Sequence, residues 1–128
     1  MGSLTIHASG PCDADTAWQR YACLDEWASW APHIKRVRAD GRSLVTGLSG
    51  TVESVAHVTV PFEVEMVDHS KRVWTWQVRI GPLRMALRHD VQAHGGGSRA
   101  GLTMHGPSPV LAAYAPLARL ALRRLVRR

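Results

Sequence analysis

Two residues of this 128-residue chain, His89 and Tyr114, place a titratable, hydrogen-bonding group in an apolar stretch of sequence. His89 occupies an apolar position of an alternating run, and Tyr114 follows the start of an apolar C-terminal segment. A desolvated imidazole stays neutral and can move one proton or donate one hydrogen bond, and a phenol can hold a carbonyl oxygen. We therefore name His89 and Tyr114 as candidate catalytic residues. For each, orientation of a bound molecule or a purely structural place in the core is the alternative.

The apolar positions around His89 predict the wall of a ligand-binding cavity. From residue 60 to residue 104, large side chains of irregular shape alternate with polar or small ones. Tryptophan and methionine give a soft, deformable surface, whereas a tightly filled core, which is the alternative, favours leucine, isoleucine and valine. We expect Trp30 at the mouth, with helix packing as the alternative, and His33 near the same opening but in solvent. The predicted ligand-binding residues are Trp30, Phe62, Val64, Met66, Trp74, Trp76, Val78, Met85, Leu87 and Met104.

No other pattern of reactive side chains indicates a metal or a cofactor. The seven histidines contain no H-x-x-x-H pair and have no neighbouring cysteine, so no metal site is predicted. The sequence lacks the G-x-S-x-G, P-loop and dinucleotide-binding patterns. The glycine run at 95–97 predicts a hairpin loop, because no helix follows it to bind a phosphate. Cys12 and Cys23 form no C-x-x-C pair and are expected as reduced thiols.

The residues above need an α+β scaffold, which we expect as one domain over residues 1–128. Alternation at 4–8 predicts a first strand, and two short helices should follow, one at 14–21 that Asp13 or Asp15 could cap and one at 24–29. Strands are predicted at 34–39 and 49–55, and four more up to residue 104. A long helix should run from about residue 110 to the C-terminus, with Pro116 kinking it or delaying its start. Its predicted apolar side comprises Leu111, Tyr114, Leu117, Ala118, Ala121, Leu122 and Leu125.

The turns predict the register of the strands. A two-residue link at Gly81 and Pro82 pairs Ile80 with Leu83. Counting outward then pairs Val78 with Met85, Trp76 with Leu87 and Trp74 with His89. The turn at 68–71 pairs Met66 with Trp74, Val64 with Trp76 and Phe62 with Val78, and the glycine turn places His89 beside Met104. All apolar sets then share one face of the sheet, and a slip of one residue would turn them outward.

The charge of +6 is concentrated at the C-terminus, where Arg119, Arg123, Arg124, Arg127 and Arg128 lie. The rest of the chain shows no basic and aromatic stripe, so nucleic-acid binding is not expected. No segment reaches the ~20 apolar residues of a membrane span, and the N-terminus lacks a signal-peptide pattern, so we expect a cytoplasmic protein. The positive charges of these arginines, near the C-terminus of the terminal helix, interact favourably with the helix dipole. Alternatively, they could dock an acidic carrier protein or an anionic membrane surface, and a homodimer also stays open.

A resemblance to a known superfamily supports the interpretation of these sequence patterns. The matching segments are Trp27-Ala28-Ser29-Trp30-Ala31-Pro32, Ile34, Val37, Gly47-Leu48-Ser49-Gly50, Phe62-Glu63-Val64, Arg72-Val73-Trp74-Thr75-Trp76, Gly81-Pro82-Leu83, His89 and Gly106-Pro107. In their order and spacing they resemble the START-like, or helix-grip (SRPBCC), superfamily, and in particular its bacterial polyketide cyclase/dehydratase and lipid-transport branch. The resemblance implies a hydrophobic cavity between the sheet and the C-terminal helix, with no obligatory cofactor.

Three functions follow as hypotheses. The first is binding of a hydrophobic or aromatic small molecule, with cyclisation or dehydration of a polyketide-like substrate through His89 and Tyr114. The second is a non-catalytic carrier or sensor of a lipid or another metabolite. The third is an interaction module that meets an acidic partner through its arginine-rich helix.

Overall fold

In a computed structural model, the described part of the chain, residues 2–55 and 57–127, forms seven strands, three α-helices and one 3₁₀ turn. In chain order these are β1 (Gly2–Gly10), α1 (Ala14–Ala22), the 3₁₀ turn (Leu24–Glu26), α2 (Trp27–Trp30), β2 (Ile34–Ala39), β3 (Ser49–Ser54), β4 (Thr59–Asp68), β5 (Val73–Ile80), β6 (Leu83–His94), β7 (Gly97–Gly106) and α3 (Ser108–Leu125). The elements confirm the predicted α+β fold.

The strands form one curved antiparallel sheet in the order β1-β7-β6-β5-β4-β3-β2. Strands β2 to β7 form a meander, and β1 pairs with the last strand, β7. Helix α3 packs on β1 and β7 and also touches α2. One face of the sheet is therefore covered by helices, and the apolar side chains that alternate along the strands are buried beneath them.

Helix α1 forms where the sequence combines a cap with an apolar stripe. The Asp13 carboxylate accepts a hydrogen bond from the Thr16 amide at 2.6 Å, which satisfies one free N–H group at the helix start. Asp13 is one of the two caps predicted. Residues Ala14, Ala17, Trp18 and Tyr21 lie at helical spacing and are buried. Their burial places the Tyr21 ring against the sheet.

Helix α3 begins at Ser108 and continues through Pro116, so the predicted delay of its start is wrong. Pro116 lacks an N–H and leaves one carbonyl of the preceding turn without its helical partner, which is tolerable because Pro116 lies on the exposed side. Leu117 is 41% exposed, contrary to its predicted place on the apolar side. The guanidinium of Arg20 closes the other end of α3, donating to the carbonyls of Leu125 and Arg127 at 2.6 and 2.7 Å.

The predicted register of β5 and β6 is confirmed from Ile80–Leu83 to Trp74–His89. Between β4 and β5 the pairs Phe62–Val78 and Val64–Trp76 are confirmed as well. Val78 and Trp76 therefore face the same side as the residues opposite them.

Two of the predicted pairs are wrong. A bulge between Val64 and Met66 places Met66 opposite Thr75 and Val67 opposite Trp74. The extra residue turns Met66 to the outer face, where it is 38% exposed. His89 pairs with Leu102, and Met104 with Leu87, because the β6–β7 hairpin is two residues tighter than predicted. A shift of two keeps the same face, so His89 remains on the covered side.

None of the helices within residues 2–55 and 57–127 combines the length and the apolar character that crossing a membrane requires.

Candidate ligand-binding site

A cavity of about 110 Å³ lies between the covered face of the sheet and the helices. Strands β2 to β7, helices α1, α2 and α3 and the segment before β2 all contribute to its wall. The wall comprises Tyr21, Trp27, Trp30, His33, Ile34, Val52, Ser54, Val60, Trp74, Trp76, Val78, Ile80, Met85, Leu87, His89, Leu102, Tyr114, Ala118, Ala121 and Leu122. The cavity is therefore a tertiary feature to which distant parts of the chain contribute.

Most of the residues predicted from the sequence border this cavity. Both candidate catalytic residues do so, together with Trp30, Trp74, Trp76, Val78, Met85 and Leu87. The others do not. Phe62, Val64 and Met104 are buried in the core outside the wall, and Met66 faces away because of the bulge. The roles of the bordering residues in binding or catalysis stay predictions.

Several wall residues were absent from the prediction because their segments were read as helix packing or loop. The most prominent are Tyr21, Trp27 and His33. Trp27 and Trp30 are three residues apart, and residues at that spacing share one face of a helix, so the pair could have been assigned to the wall together. No local signal marks Tyr21 as a wall residue, since its side chain reaches the cavity only because α1 packs on β6 and β7.

The centre of the wall is a cluster of aromatic rings. The His89 imidazole is stacked on the Trp74 indole, with ring centroids 3.9 Å apart and an angle of 7° between the planes. Tyr21 meets both rings edge-on, at 5.5 Å from Trp74 and 5.4 Å from His89. Trp27 lies against Trp74 at 5.7 Å and 26°. Such contacts stabilise the cluster beyond simple area burial and keep the ring orientations fixed.

The four tryptophans of the wall differ in their hydrogen bonds. The indole N–H of Trp27 donates to the Tyr21 carbonyl at 2.8 Å, and that of Trp30 donates to the Arg20 carbonyl at 3.0 Å. The indole nitrogens of Trp74 and Trp76 are equally buried but have no partner among the residues that the structure describes. The same holds for the Tyr21 hydroxyl, His89 Nδ1 and His33 Nδ1. Buried polar groups without partners are rare in native proteins, so this concentration in one wall needs an explanation.

Burial also decides the charge state of His89. Desolvation lowers the pKa of His89 from 6.5 to about 3, and a hydrogen bond with the Trp74 backbone offsets only a part of the effect. The pKa of Tyr21 is raised well above its ordinary value, chiefly by burial. Both groups are therefore neutral near pH 7 and present dipoles to the cavity rather than charges.

Tyr114 and His33 form a polar pair at one side of the cavity. The Tyr114 hydroxyl and His33 Nε2 are 3.2 Å apart, and the two rings meet edge-on with centroids at 5.4 Å. Burial raises the pKa of Tyr114 to about 12 and lowers the pKa of His33. His33 is thus a half-buried wall residue, and the prediction that it lies in solvent is wrong. The pair joins α3 to the segment before β2.

One end of the cavity reaches the protein surface. Ile80, at the tip of β5, belongs to the wall and is 39% exposed. Ser54, Val60 and His33 are half-buried wall residues at the same end of the sheet. The wall as described contains no Asp, Glu, Lys or Arg. Within residues 2–55 and 57–127, no three His, Cys, Asp or Glu side chains are grouped so that they could hold a metal ion. The site can therefore take up an uncharged, largely apolar molecule through one opening.

The whole sequence, residues 1–128, matches the family described as polyketide cyclase/dehydrase and lipid transport. The chain belongs to this family. No curated protein matches the sequence. The family's name joins catalytic and carrier functions, so membership is compatible with either use of the cavity.

Solved structures of similar fold include proteins of different kinds. Ara h 8.0201 is 11% identical, with a TM-score of 0.79 over 97% of this chain and 94% of that one. XoxI from Bacillus cereus is 13% identical, with a TM-score of 0.82 over 98% and 94% of the two chains. The di-domain ARO/CYC BexL from the BE-7585A biosynthetic pathway is 14% identical, with a TM-score of 0.82 over 98% of this chain and 45% of BexL. At these identities the likeness concerns the fold alone.

Proposed function

We propose that this chain binds an uncharged small molecule whose buried end is an apolar ring or chain carrying a hydrogen-bond acceptor, and that it serves as a carrier or sensor. The observation that carries the proposal is the set of unpartnered donors in an otherwise apolar wall. Membership of a cyclase and lipid-transport family supports the same general role.

The size of the cavity limits what can enter it. An apolar cavity of roughly 150 Å³ holds one benzene molecule, and the cavity here measures about 110 Å³. It therefore suits a single small ring or a short alkyl end. The remainder of a larger bound ligand would extend to the surface through the opening at Ile80. Met85 in the wall is flexible enough to enlarge the space by changing its rotamer.

The unpartnered donors explain why the ligand should carry an acceptor. The indole N–H groups of Trp74 and Trp76 can only donate, so they need an acceptor. Each buried polar group without a partner costs about 1–3 kcal/mol. A carbonyl or ether oxygen among these groups would recover part of that cost, whereas a pure hydrocarbon would recover none.

The protonation states favour binding over acid–base catalysis. A general base works best with a pKa near the operating pH, and the pKa of His89 is about 3. Tyr114, with its pKa raised to about 12, is still farther from neutral pH on the other side. Cyclase or dehydratase activity through these two residues is the second candidate, supported by the family and by the unpartnered Nδ1 of His89.

A matched pair of probes tests the proposal. Acetophenone and ethylbenzene have nearly the same shape, but only acetophenone carries a carbonyl oxygen. We expect acetophenone to bind roughly fivefold to tenfold more tightly, which corresponds to one net hydrogen bond of about 1 kcal/mol. In ¹⁵N-labelled protein, acetophenone should shift the indole N–H signals of Trp74 and Trp76 and leave those of Trp27 and Trp30 nearly unchanged.

Equal affinity for the two probes, or equal shifts of all four indole signals, would contradict the proposed role of the donors. Trp76→Phe removes one donor and should reduce the preference for acetophenone, with Trp30→Phe as the matched control, because the Trp30 N–H already donates to the backbone. Native mass spectrometry of protein purified from its own host would identify a natural ligand. His89→Gln then separates the two candidates, since loss of turnover of that molecule indicates an enzyme and weaker binding alone indicates a carrier.

A further inference from the structure

Large apolar side chains are exposed at the end of the sheet where the cavity opens. Ile80 and Leu83 flank the β5–β6 turn and are 39% and 37% exposed, and Val55 and Val58 in the β3–β4 turn are 59% and 48% exposed. Alternate turns of an antiparallel meander lie at the same end of the strands, so these two turns lie at one end of the sheet. We call it the hairpin end, and define it by Val55, Val58, Arg79, Ile80, Leu83 and Arg84.

The hairpin end also carries cations that the fold does not neutralise. Arg79 and Arg84 are directly opposite each other in the register of β5 and β6, and both are exposed. Like charges in directly opposed positions destabilise a sheet. Within the described residues neither arginine forms an ion pair or a hydrogen bond, although Glu63 borders the same shallow depression on the outer face.

Other charges near this end do not cancel the two arginines. The carboxylate of Glu53, near the end of β3, is already bridged to Lys35 at 3.9 Å and to Arg36 at 3.3 Å. The two arginines therefore leave the outer side of the hairpin end basic. The opposite end of the sheet differs, since its turns at 69–72 and 95–96 contain only polar or small residues. Among the described residues, the large apolar side chains exposed there are Val45 and, near the end of β4, Met66.

We infer that the hairpin end docks on the surface of an anionic lipid bilayer. Apolar tips beside arginines match the boundary of a bilayer, where anionic headgroups lie above the acyl chains. The four apolar side chains project from two separate turns, so they suit insertion into a soft surface better than a fit to the rigid surface of an acidic protein. Ile80 belongs both to the hairpin end and to the cavity wall, so docking would bring the opening to the membrane. Exchange of ligand with the bilayer rests on the proposed function, but docking itself does not.

Vesicle flotation tests the charge component. The full chain should float with vesicles of 30% phosphatidylglycerol in phosphatidylcholine and should not float with phosphatidylcholine alone. Removing both arginines in Arg79→Gln/Arg84→Gln should weaken binding roughly 30-fold, from about fivefold for each charge at an anionic surface. The matched control is Arg38→Gln/Arg99→Gln, which removes two exposed arginines at the opposite end and should change binding by less than about threefold.

A second pair of variants tests the apolar component. Val58→Ser/Leu83→Ser should weaken binding to the anionic vesicles by roughly tenfold, because each change removes apolar area that docking would bury. Neither residue lines the cavity, so acetophenone affinity should stay unchanged. Val45→Ser, which alters a side chain 49% exposed at the other end, is the control and should leave flotation as it is.

Equal loss in the test and control variants, or equal flotation with neutral vesicles, would overturn the docking proposal. So would binding of an acidic carrier protein through Arg79 and Arg84 without any binding to vesicles. Flotation as expected in a chain that binds neither acetophenone nor ethylbenzene would leave the docking surface standing and refute the proposed ligand binding instead.

Discussion

Burial of the His89 imidazole links the stability of the fold to pH. Desolvation lowers the pKa of His89 from 6.5 to about 3 in the folded chain, whereas an unfolded chain keeps the ordinary value. Between these two values the unfolded state binds a proton that the folded state does not bind. The contribution of neutral His89 is therefore fully present above pH 6.5 and is lost as the pH falls toward 3.

The size of the effect follows from the two pKa values. One proton bound only by the unfolded state changes the free energy of unfolding by about 1.4 kcal/mol per pH unit. The loss amounts to about 3 kcal/mol at pH 4.5 and approaches about 5 kcal/mol near pH 3. Domains of this kind have total stabilities of about 5–15 kcal/mol. Tyr21, the neighbouring titratable group, gives no compensation because its raised pKa keeps it neutral.

Urea unfolding followed by tryptophan fluorescence, at pH 7.5, 6.5, 5.5 and 4.5, measures this linkage. The wild-type chain is compared with His89→Phe, which keeps a ring on Trp74 but cannot titrate. Taking the difference between the two removes the contribution of groups that titrate in both chains. We expect the wild type to lose about 3 kcal/mol more than the variant between pH 7.5 and 4.5.

A second variant, His89→Gln, is the control for changes in packing that the larger phenylalanine ring could cause. Both variants should show the same reduced slope, whatever their stability at pH 7.5. Parallel curves for the wild type and both variants would refute the reasoning, because they would mean that His89 titrates alike in the folded and unfolded chains. His89 imidazole NMR signals that titrate near pH 6.5 in the folded chain would refute the reasoning directly, whereas signals that stay constant down to pH 4.5 would support it.

Further predictions concern single contacts. Tyr114→Phe removes the hydrogen bond to His33 and should lower the free energy of unfolding by about 1 kcal/mol in urea titrations. Arg20→Gln removes charged donors from the last carbonyls of α3 and should cost about 2 kcal/mol, with faster amide exchange confined to the C-terminal turn. Gly97→Ala should destabilise by about 2 kcal/mol because its Cβ would overlap the Gly10 carbonyl, whereas Gly96→Ala, with open space around it, should change the melting temperature little.

The alternating pattern and the turns allowed much of the sheet to be predicted from the sequence. Side chains alternate between faces with a period of two, so Trp74, Trp76 and His89 had to share a face once the Gly81–Pro82 turn was recognised. The bulge at Met66 could not be foreseen, because a one-residue insertion leaves no mark in an otherwise regular alternation. The β6–β7 register was missed by two residues because three consecutive glycines allow several turns.

The sequence by itself determined the face on which the apolar side chains lie, the cap of α1 and the apolar context of His89, since these depend on local spacing. Only the tertiary structure decided which buried residues border empty space and which polar atoms lack partners. A cavity is what remains when side chains from distant segments fail to fill the volume between them, and Tyr21 and His33 enter its wall through long-range packing. Spacing along one segment contains no information about that residual volume.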